Sequence, residues 1–312
     1  PIDNPVVTDS GLKHTSGLVP VYPETEGVTS KYLRFLIKPL LKDLEVQDTL
    51  PEPILKKYGF PEITTALTAM HYPATIQEAD SAKDRFAFED LLLFQIKALL
   101  ERRKINQLKS VSIEFDQPLI QDFVSNLPFE LTSDQKVALW EILKDLQKSY
   151  PMNRLLEGDV GSGKTVVALA AAYQAAKRGY QTVFMVPTEV LARQHYKTIA
   201  SLINDDSLRA CLLTGSESKL GVESVNKKTL KNKIASGDVQ IIVGTHAVIQ
   251  KDVSFSKLAL AVIDEQHRFG IHQRALLAKQ MEKELVPHLL SMTATPIPRT
   301  LALTIYGDLD IS

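Results

Sequence analysis

Gly158-Asp159-Val160-Gly161-Ser162-Gly163-Lys164-Thr165 follows a short apolar run at Leu155-Leu156 and leads into Val166-Val167-Ala168-Leu169-Ala170-Ala171-Ala172. The stretch fits G-x-x-x-x-G-K-[ST], a phosphate-binding loop set between a strand and a helix. Its glycines let backbone N–H groups turn inward around phosphate oxygens, and the N-terminus of the following helix adds the positive end of its dipole. Lys164 then reaches the β and γ phosphates, and the Thr165 hydroxyl holds Mg²⁺. A nucleotide with its magnesium ion is the expected ligand.

The surroundings of this loop carry the fold. From Leu131 onward strand and helix signals alternate. Thr132 is a candidate N-cap for a helix from Ser133 to Lys148. Apolar runs follow at Arg154–Glu157, Thr182–Val186, Arg209–Leu213, Val239–Val243, Leu258–Ile263 and His288–Met292. Helical patterns separate most of them, which implies a parallel sheet covered by helices on both faces. In such sheets ligands bind beyond the carboxyl ends of the strands. Ala261-Val262-Ile263 is followed there by Asp264-Glu265, 100 residues after Lys164. In a P-loop ATPase an acid at this place holds Mg²⁺ and its neighbour polarises the attacking water. Pro187-Thr188-Glu189 and Gly244-Thr245-His246-Ala247 also end strands, with amides and hydroxyls suited to phosphodiester oxygens. Ser291-Met292-Thr293-Ala294-Thr295-Pro296 ends another.

Upstream the chain reads as helical. Residues 1–28 are rich in Pro, Gly, Thr and Ser, with Leu18-Val19-Pro20-Val21-Tyr22 as the one extended candidate. Thr29 or Ser30 opens a helix carrying Leu33, Leu36, Ile37, Leu40 and Leu41, which Pro39 should kink or break. Pro51 and Pro53 open a short turn of helix, and Pro61 opens another that ends before Pro73. The longest pattern runs from Thr75–Gln77 to about Lys104. Phe86, Phe88, Leu91, Leu92, Leu93, Phe94, Ile96, Leu99 and Leu100 make it apolar around much of its circumference, so burial on several sides is expected. Its end, Glu101-Arg102-Arg103-Lys104, reads as cations at a helix C-terminus. A short helix around Leu119 to Leu127 completes this region.

With 312 residues, 44% hydrophobic and 23% charged, the chain can fill two domains and bury a sizeable core. A formal net charge of −1 gives no global basic field, so nucleic-acid contact would need a local patch. Lys219, Lys227, Lys228, Lys231 and Lys233 are such a cluster, read first as a solvated helix face. Cys211 is the only cysteine, which excludes an internal disulfide and Cys-rich zinc sites. It reads as a small buried core residue. No apolar run reaches the roughly 18 residues of a membrane span. Nor does the N-terminus read as a secretory signal, and a cytoplasmic protein is expected. A start at Pro1 without methionine and a stop at Ser312 read as an excised piece of a longer protein.

Together the motifs resemble superfamily 2 helicases, and among them the bacterial branch-migration type. The carriers are Gly158–Thr165, Pro187-Thr188-Glu189-Val190-Leu191, Gly244-Thr245-His246-Ala247, Asp264-Glu265-Gln266-His267-Arg268-Phe269-Gly270 and Thr293-Ala294-Thr295-Pro296-Ile297-Pro298-Arg299-Thr300. Pro20-Val21-Tyr22-Pro23-Glu24-Thr25-Glu26-Gly27 and Ala87-Phe88-Glu89-Asp90-Leu91-Leu92 extend the resemblance over almost the whole chain. It implies an α/β fold: a RecA-like P-loop NTPase lobe with a parallel sheet at 128–312. A mainly helical linker region at 29–127 precedes it. Residues 1–28 become the tail or exit strand of a mostly missing OB-like wedge domain.

The resemblance also implies roles. Gln135 reads adenine, with Phe129 packing nearby, and Gly158, Asp159, Val160, Gly161, Ser162, Gly163, Lys164 and Thr165 cradle ATP. Asp264 and Thr165 hold Mg²⁺, and Glu265 activates water. Gln266 and His267 couple nucleotide state to motion, His267 from the nucleotide side. Thr188, Glu189, Gly215, Thr245 and His246 line the DNA track, and Thr293 and Thr295 link ATP to DNA. The implied partners are forked or branched DNA together with the second RecA-like lobe and wedge of the same full-length protein, acting as a monomer. Only 17 residues follow Thr295, so the second lobe and its arginine finger are expected to lie elsewhere and this piece to hydrolyse ATP poorly alone. A transcription-repair coupling translocase, and a nucleotide-dependent DNA-binding or docking module without turnover, stay open as readings. Gln266 in place of a second Glu favours the branch-migration type.

Overall fold

The computed structural model describes residues 18, 20–203, 205, 207–264, 285–294 and 310–312. The chain divides into two compact units, Pro1–Ile96 and Lys97–Ser312. In the first unit, α1 (Ser30–Leu40) starts where the Thr29 hydroxyl accepts the Tyr32 amide at 3.3 Å. It ends one residue after Pro39, whose ring cannot follow an i−4 carbonyl without strain. α2 (Glu52–Tyr58) and α3 (Ile63–His71) follow Pro51 and Pro61, and α4 (Ile76–Gln107) is the long helix. The core here is small, formed by Ala66, Ala69 and Ala82 with Met70 and Phe86 against them. Arg85, fully buried, donates to Asp48 at 2.8 Å and to the Pro61 carbonyl at 3.0 Å.

Two expectations change. Only Ala82 and Arg85 of α4 are buried, and Leu91, Leu93, Phe94, Ile96, Leu99 and Leu100 are exposed. The first unit closes around the small residues near the start of α4, so its apolar middle is not enclosed. The boundary expected at 127 also moves. α5 (Gln117–Ser125) buries Ile120 and Phe123, together with Ile113 and Leu127, in the core of the second unit. The basic end of α4 is paired, Arg102 with Asp310 at 2.6 Å and Lys104 with Glu101 at 2.8 Å.

The second unit continues with α6 (Ser133–Leu146), β1 (Asn153–Glu157), α7 (Lys164–Lys177), β2 (Gln181–Met185), α8 (Glu189–Leu202) and β3 (Ala210–Leu213). Then come β4 (Ser218–Leu220), β5 (Glu223–Ser224), α9 (Lys227–Ser236), β6 (Ile241–Gly244), β7 (Leu258–Asp264), β8 (His288–Thr293) and β9 (Asp310–Ile311). Among the described residues the sheet order is β5-β4-β3-β6-β2-β7-β8-β1-β9. All neighbours from β3 to β9 pair parallel, and β4 and β5 add an antiparallel hairpin at the β3 edge.

Successive strand residues point to opposite faces, and both faces are buried. Phe184 and Val186 join Leu212, Val243, Val262 and Leu290 under α5, α6 and α7. Val183 and Met185 face the other way, with Leu213, Ile242 and Ile263 against Leu230 and Ile234 of α9. Cys211 lies in this second core, fully buried as expected, and burial pushes its thiol pKa up. Central helix α7 is buried from Val166 to Ala176, which explains its alanines: only small side chains let it sit between sheet and helices. Among the described residues no helix is long and apolar enough to cross a membrane.

His288, at the start of β8, is buried with both ring nitrogens used. Nδ1 accepts the Met152 amide at 2.9 Å, and Nε2 donates to the Val111 carbonyl at 2.6 Å. Burial pulls its pKa down to about 4, outweighing the Val111 carbonyl and Asp145, which favour the cation. The unfolded chain therefore takes up a proton first, so this contribution to stability is complete above the ordinary His pKa and is lost as pH falls toward 4. We expect the 312-residue chain to lose about 2 kcal/mol between pH 7 and 5 from this group. Thermal midpoints across that range check it: His288→Gln, which can still donate to Val111 but does not titrate, should show a flatter profile.

Candidate functional site

The loop after β1 has the backbone its sequence demands. Gly161 and Gly163 both adopt φ 82, a left-handed conformation that side chains resist. Gly163 is also crowded: a Cβ there would lie 2.4 Å from Gln135 Nε2. α7 starts directly from Gly163, so its free N-terminal amides point into the loop. Lys164 Nζ donates to the carbonyls of Gly158 at 2.5 Å and Asp159 at 2.8 Å. Its charge thus sits over the loop on the helix-start side.

Gln135 is built into the same loop from α6. Its Oε1 accepts the Thr132 amide at 2.8 Å while the Thr132 hydroxyl accepts the Gln135 amide at 3.3 Å, a reciprocal capping box. Its Nε2 donates to the Ser162 carbonyl at 2.7 Å. One N–H and one lone pair of the carboxamide remain for a ligand. Phe129, 46% exposed, precedes α6 on the loop from Leu127, and Val160 at the loop tip is 89% exposed.

Three adjacent strands bring the remaining groups to this loop. β7, β8 and β1 lie side by side, with Asp264 opposite Met292 and Glu157 opposite Thr293. The Gly158 amide donates to the Thr293 carbonyl at 3.3 Å, so the strand ending in Thr293 touches the loop backbone. Asp264 and Thr165 meet around His195 of α8: Nε2 is 3.0 Å from Asp264 Oδ2 and Nδ1 is 3.4 Å from Thr165 Oγ1. A hydroxyl and a carboxylate are hard oxygen donors that fit Mg²⁺, which takes one or two protein ligands and fills its octahedron with phosphate and water. Glu265, Gln266, His267 and Thr295 lie outside the described residues.

The second set of motif residues ends the other strands. Thr188 caps α8 after β2, its hydroxyl accepting the Leu191 amide at 3.3 Å. Glu189 reaches the loop after β3, accepting the Ser216 amide at 2.9 Å and the Ser216 hydroxyl. A Cβ on Gly215 would sit 3.0 Å from its Oε1. Arg193 adds Glu217 at 2.9 Å. Ser216 and its neighbours hold Glu189 below the usual carboxylate range. Thr245 and His246 follow β6, where a 3₁₀ turn spans His246–Ile249. Thr188, Gly215 and His246 are exposed.

Of the lysine cluster, Lys219 pairs with Glu217, Lys231 with Asp252, and Lys227 donates to the Gly215 carbonyl. The first two are committed within the protein, while Lys227 borders the Gly215 loop. Sequence reading missed His195. Its signal was a histidine on the inward stripe of α8 formed by Ala192, Tyr196 and Ile199; a buried polar ring there needs a partner.

A P-loop, a strand-terminal Asp beside it and a hydroxyl strand end between them lie together at the carboxyl ends of β1, β7 and β8. Residues 132–304 match the DEAD/DEAH box helicase family, and the chain belongs to that family. The ATP-dependent DNA helicase RecG of Aquifex aeolicus is 39% identical to it, covering 99% of this chain and 40% of the relative. RecG of Bacillus subtilis is 43% identical, covering 94% of this chain and 42% of the relative. A solved structure of RecG bound to a three-way DNA junction has a TM-score of 0.78 at 37% identity, covering 98% of this chain and 40% of that one. The chain thus spans about two fifths of the length of these relatives.

Proposed function

We propose that this chain is the first motor lobe of an ATP-dependent DNA helicase acting on branched DNA, such as forks and recombination intermediates, in repair and recombination. The observation that carries this reading is the division of one sheet edge. The ends of β7, β8 and β1 carry Asp264, Thr293 and the P-loop, and the ends of β3, β6 and β2 carry Gly215, Thr245-His246 and Thr188-Glu189. Nucleotide and DNA backbone are then bound side by side on one rigid edge, and α8 starts on the DNA half and reaches the nucleotide half.

In this reading Gln135 and Phe129 take the adenine, and Gly158–Thr165 cradle the phosphates. Lys164 turns from the loop carbonyls to the β and γ oxygens. Thr165 and Asp264 would hold Mg²⁺, which would neutralise charge developing on the β and γ phosphates. Glu265 orients the attacking water, Gln266 and His267 respond to nucleotide state, and Thr293 and Thr295 pass that state toward the DNA. A second RecA-like lobe and a wedge domain of the same full-length polypeptide complete a monomeric machine, working in the cytoplasm where bacterial DNA lies. The junction-bound relative supports branched DNA as the substrate.

The test belongs to the full-length protein. Forked DNA should accelerate ATP hydrolysis more than linear duplex of equal length, and strand separation should require both ATP and Mg²⁺. Hydrolysis indifferent to every DNA would remove the motor reading. Tight DNA binding without turnover would instead favour a docking module.

A further inference from the structure

The imidazole of His195 lies between the two oxygens assigned to magnesium, 3.0 Å from Asp264 Oδ2 and 3.4 Å from Thr165 Oγ1. The side chain of His195 is 10% exposed and that of Asp264 14%, so water competes little for these bonds. Its ring is fixed by its place on the inward stripe of α8, among Ala192, Tyr196 and Ile199. A carboxylate only accepts, so Nε2 carries the proton and Nδ1 is left as an acceptor. The Thr165 hydroxyl then donates to Nδ1, which uses its proton and leaves its oxygen lone pairs for a cation. Asp264 meets the ring through Oδ2, and Oδ1 is not part of that bond. Both ligands are thereby oriented in advance. That matters for Mg²⁺, which accepts little departure from octahedral geometry.

The geometry points to His195 as a positioning residue that sets both magnesium ligands at once. This rests on reading Thr165 and Asp264 as ligands of a metal–nucleotide site. Partners that orient metal-ligating groups typically change metal affinity by about 10–100-fold when removed.

The experiment uses the full-length protein and a fluorescent methylanthraniloyl derivative of a non-hydrolysable ATP analogue. Two quantities are read: affinity for the analogue in EDTA, and the Mg²⁺ concentration that half-restores tight binding. His195→Ala should raise that concentration about 10–100-fold while affinity in EDTA stays at the wild-type value. His195→Gln keeps a donor for Asp264 and His195→Asn keeps an acceptor near Thr165, so each should recover part of the loss. An unchanged Mg²⁺ midpoint in His195→Ala overturns the positioning role. So does an equal loss of affinity in EDTA, which would mean that the ring only packs α8. If wild-type protein binds the analogue with no dependence on Mg²⁺, the metal-site reading itself fails and the role of His195 with it.

Discussion

Lys164→Ala is expected to abolish measurable nucleotide binding and to reduce ATP hydrolysis by the full-length protein by about 10²–10³-fold or more, the cost of removing one preorganised charge-stabilising donor. The wild-type ammonium rests on the carbonyls of Gly158 and Asp159. Asp159 is exposed and Gly158 half-buried, so water can replace the lysine there. Alanine suits the first turn of α7 and removes no buried contact. Folding should therefore survive, with a thermal midpoint within a few degrees of wild type. Lys164→Arg should not rescue, because a planar fork does not replace a compact ammonium among closely spaced loop amides. Calorimetric titration with ATP and Mg²⁺ decides the matter. Equal affinity in wild type and Lys164→Ala would remove the phosphate role from Gly158–Thr165.

Much of this site was legible because its determinants are local. The P-loop is one contiguous segment, and left-handed Gly161 and Gly163 are required by the turn it makes. Six of the seven parallel strands were legible because burial on both faces writes each of them as a continuous apolar run. β4, β5 and β9 were not, being two or three residues long and, in Ser218-Lys219-Leu220, only partly buried. Their identity comes from pairing with distant strands, which periodicity does not carry. His195 was illegible for the same reason. Thr165 and Asp264 lie 30 and 69 residues from it in sequence, and only the packing of α8 joins them. The reading of α4 failed differently. Its apolar residues run around the helix, but the core formed by Ala66, Ala69 and Ala82 encloses only the first turns.

Gly244 tests the proposed DNA half through packing alone. It ends β6, opposite Leu213 of β3 and Met185 of β2. A Cβ there would lie 2.1 Å from the Leu213 carbonyl oxygen and 2.5 Å from Val248 Cγ1. The oxygen is backbone in a paired strand, so it cannot yield without opening the β3–β6 register. Gly244→Ala should cost about 3 kcal/mol or more, the upper range for overpacking, and lower the thermal midpoint by about 6–12 °C. The displacement falls where Thr214-Gly215 and Thr245-His246 leave their strands. β2, β7 and β8 separate that point from the P-loop strand. Below its melting temperature, the full-length Gly244→Ala protein should therefore lose affinity for forked DNA while keeping its affinity for the nucleotide analogue. Lys164→Ala should do the reverse, losing nucleotide while still binding DNA in its absence. Opposed losses of this kind require two binding surfaces on separate halves of one sheet edge. If either substitution removed both affinities in folded protein, nucleotide and DNA would share residues, and the division between β2 and β7 would not describe the site.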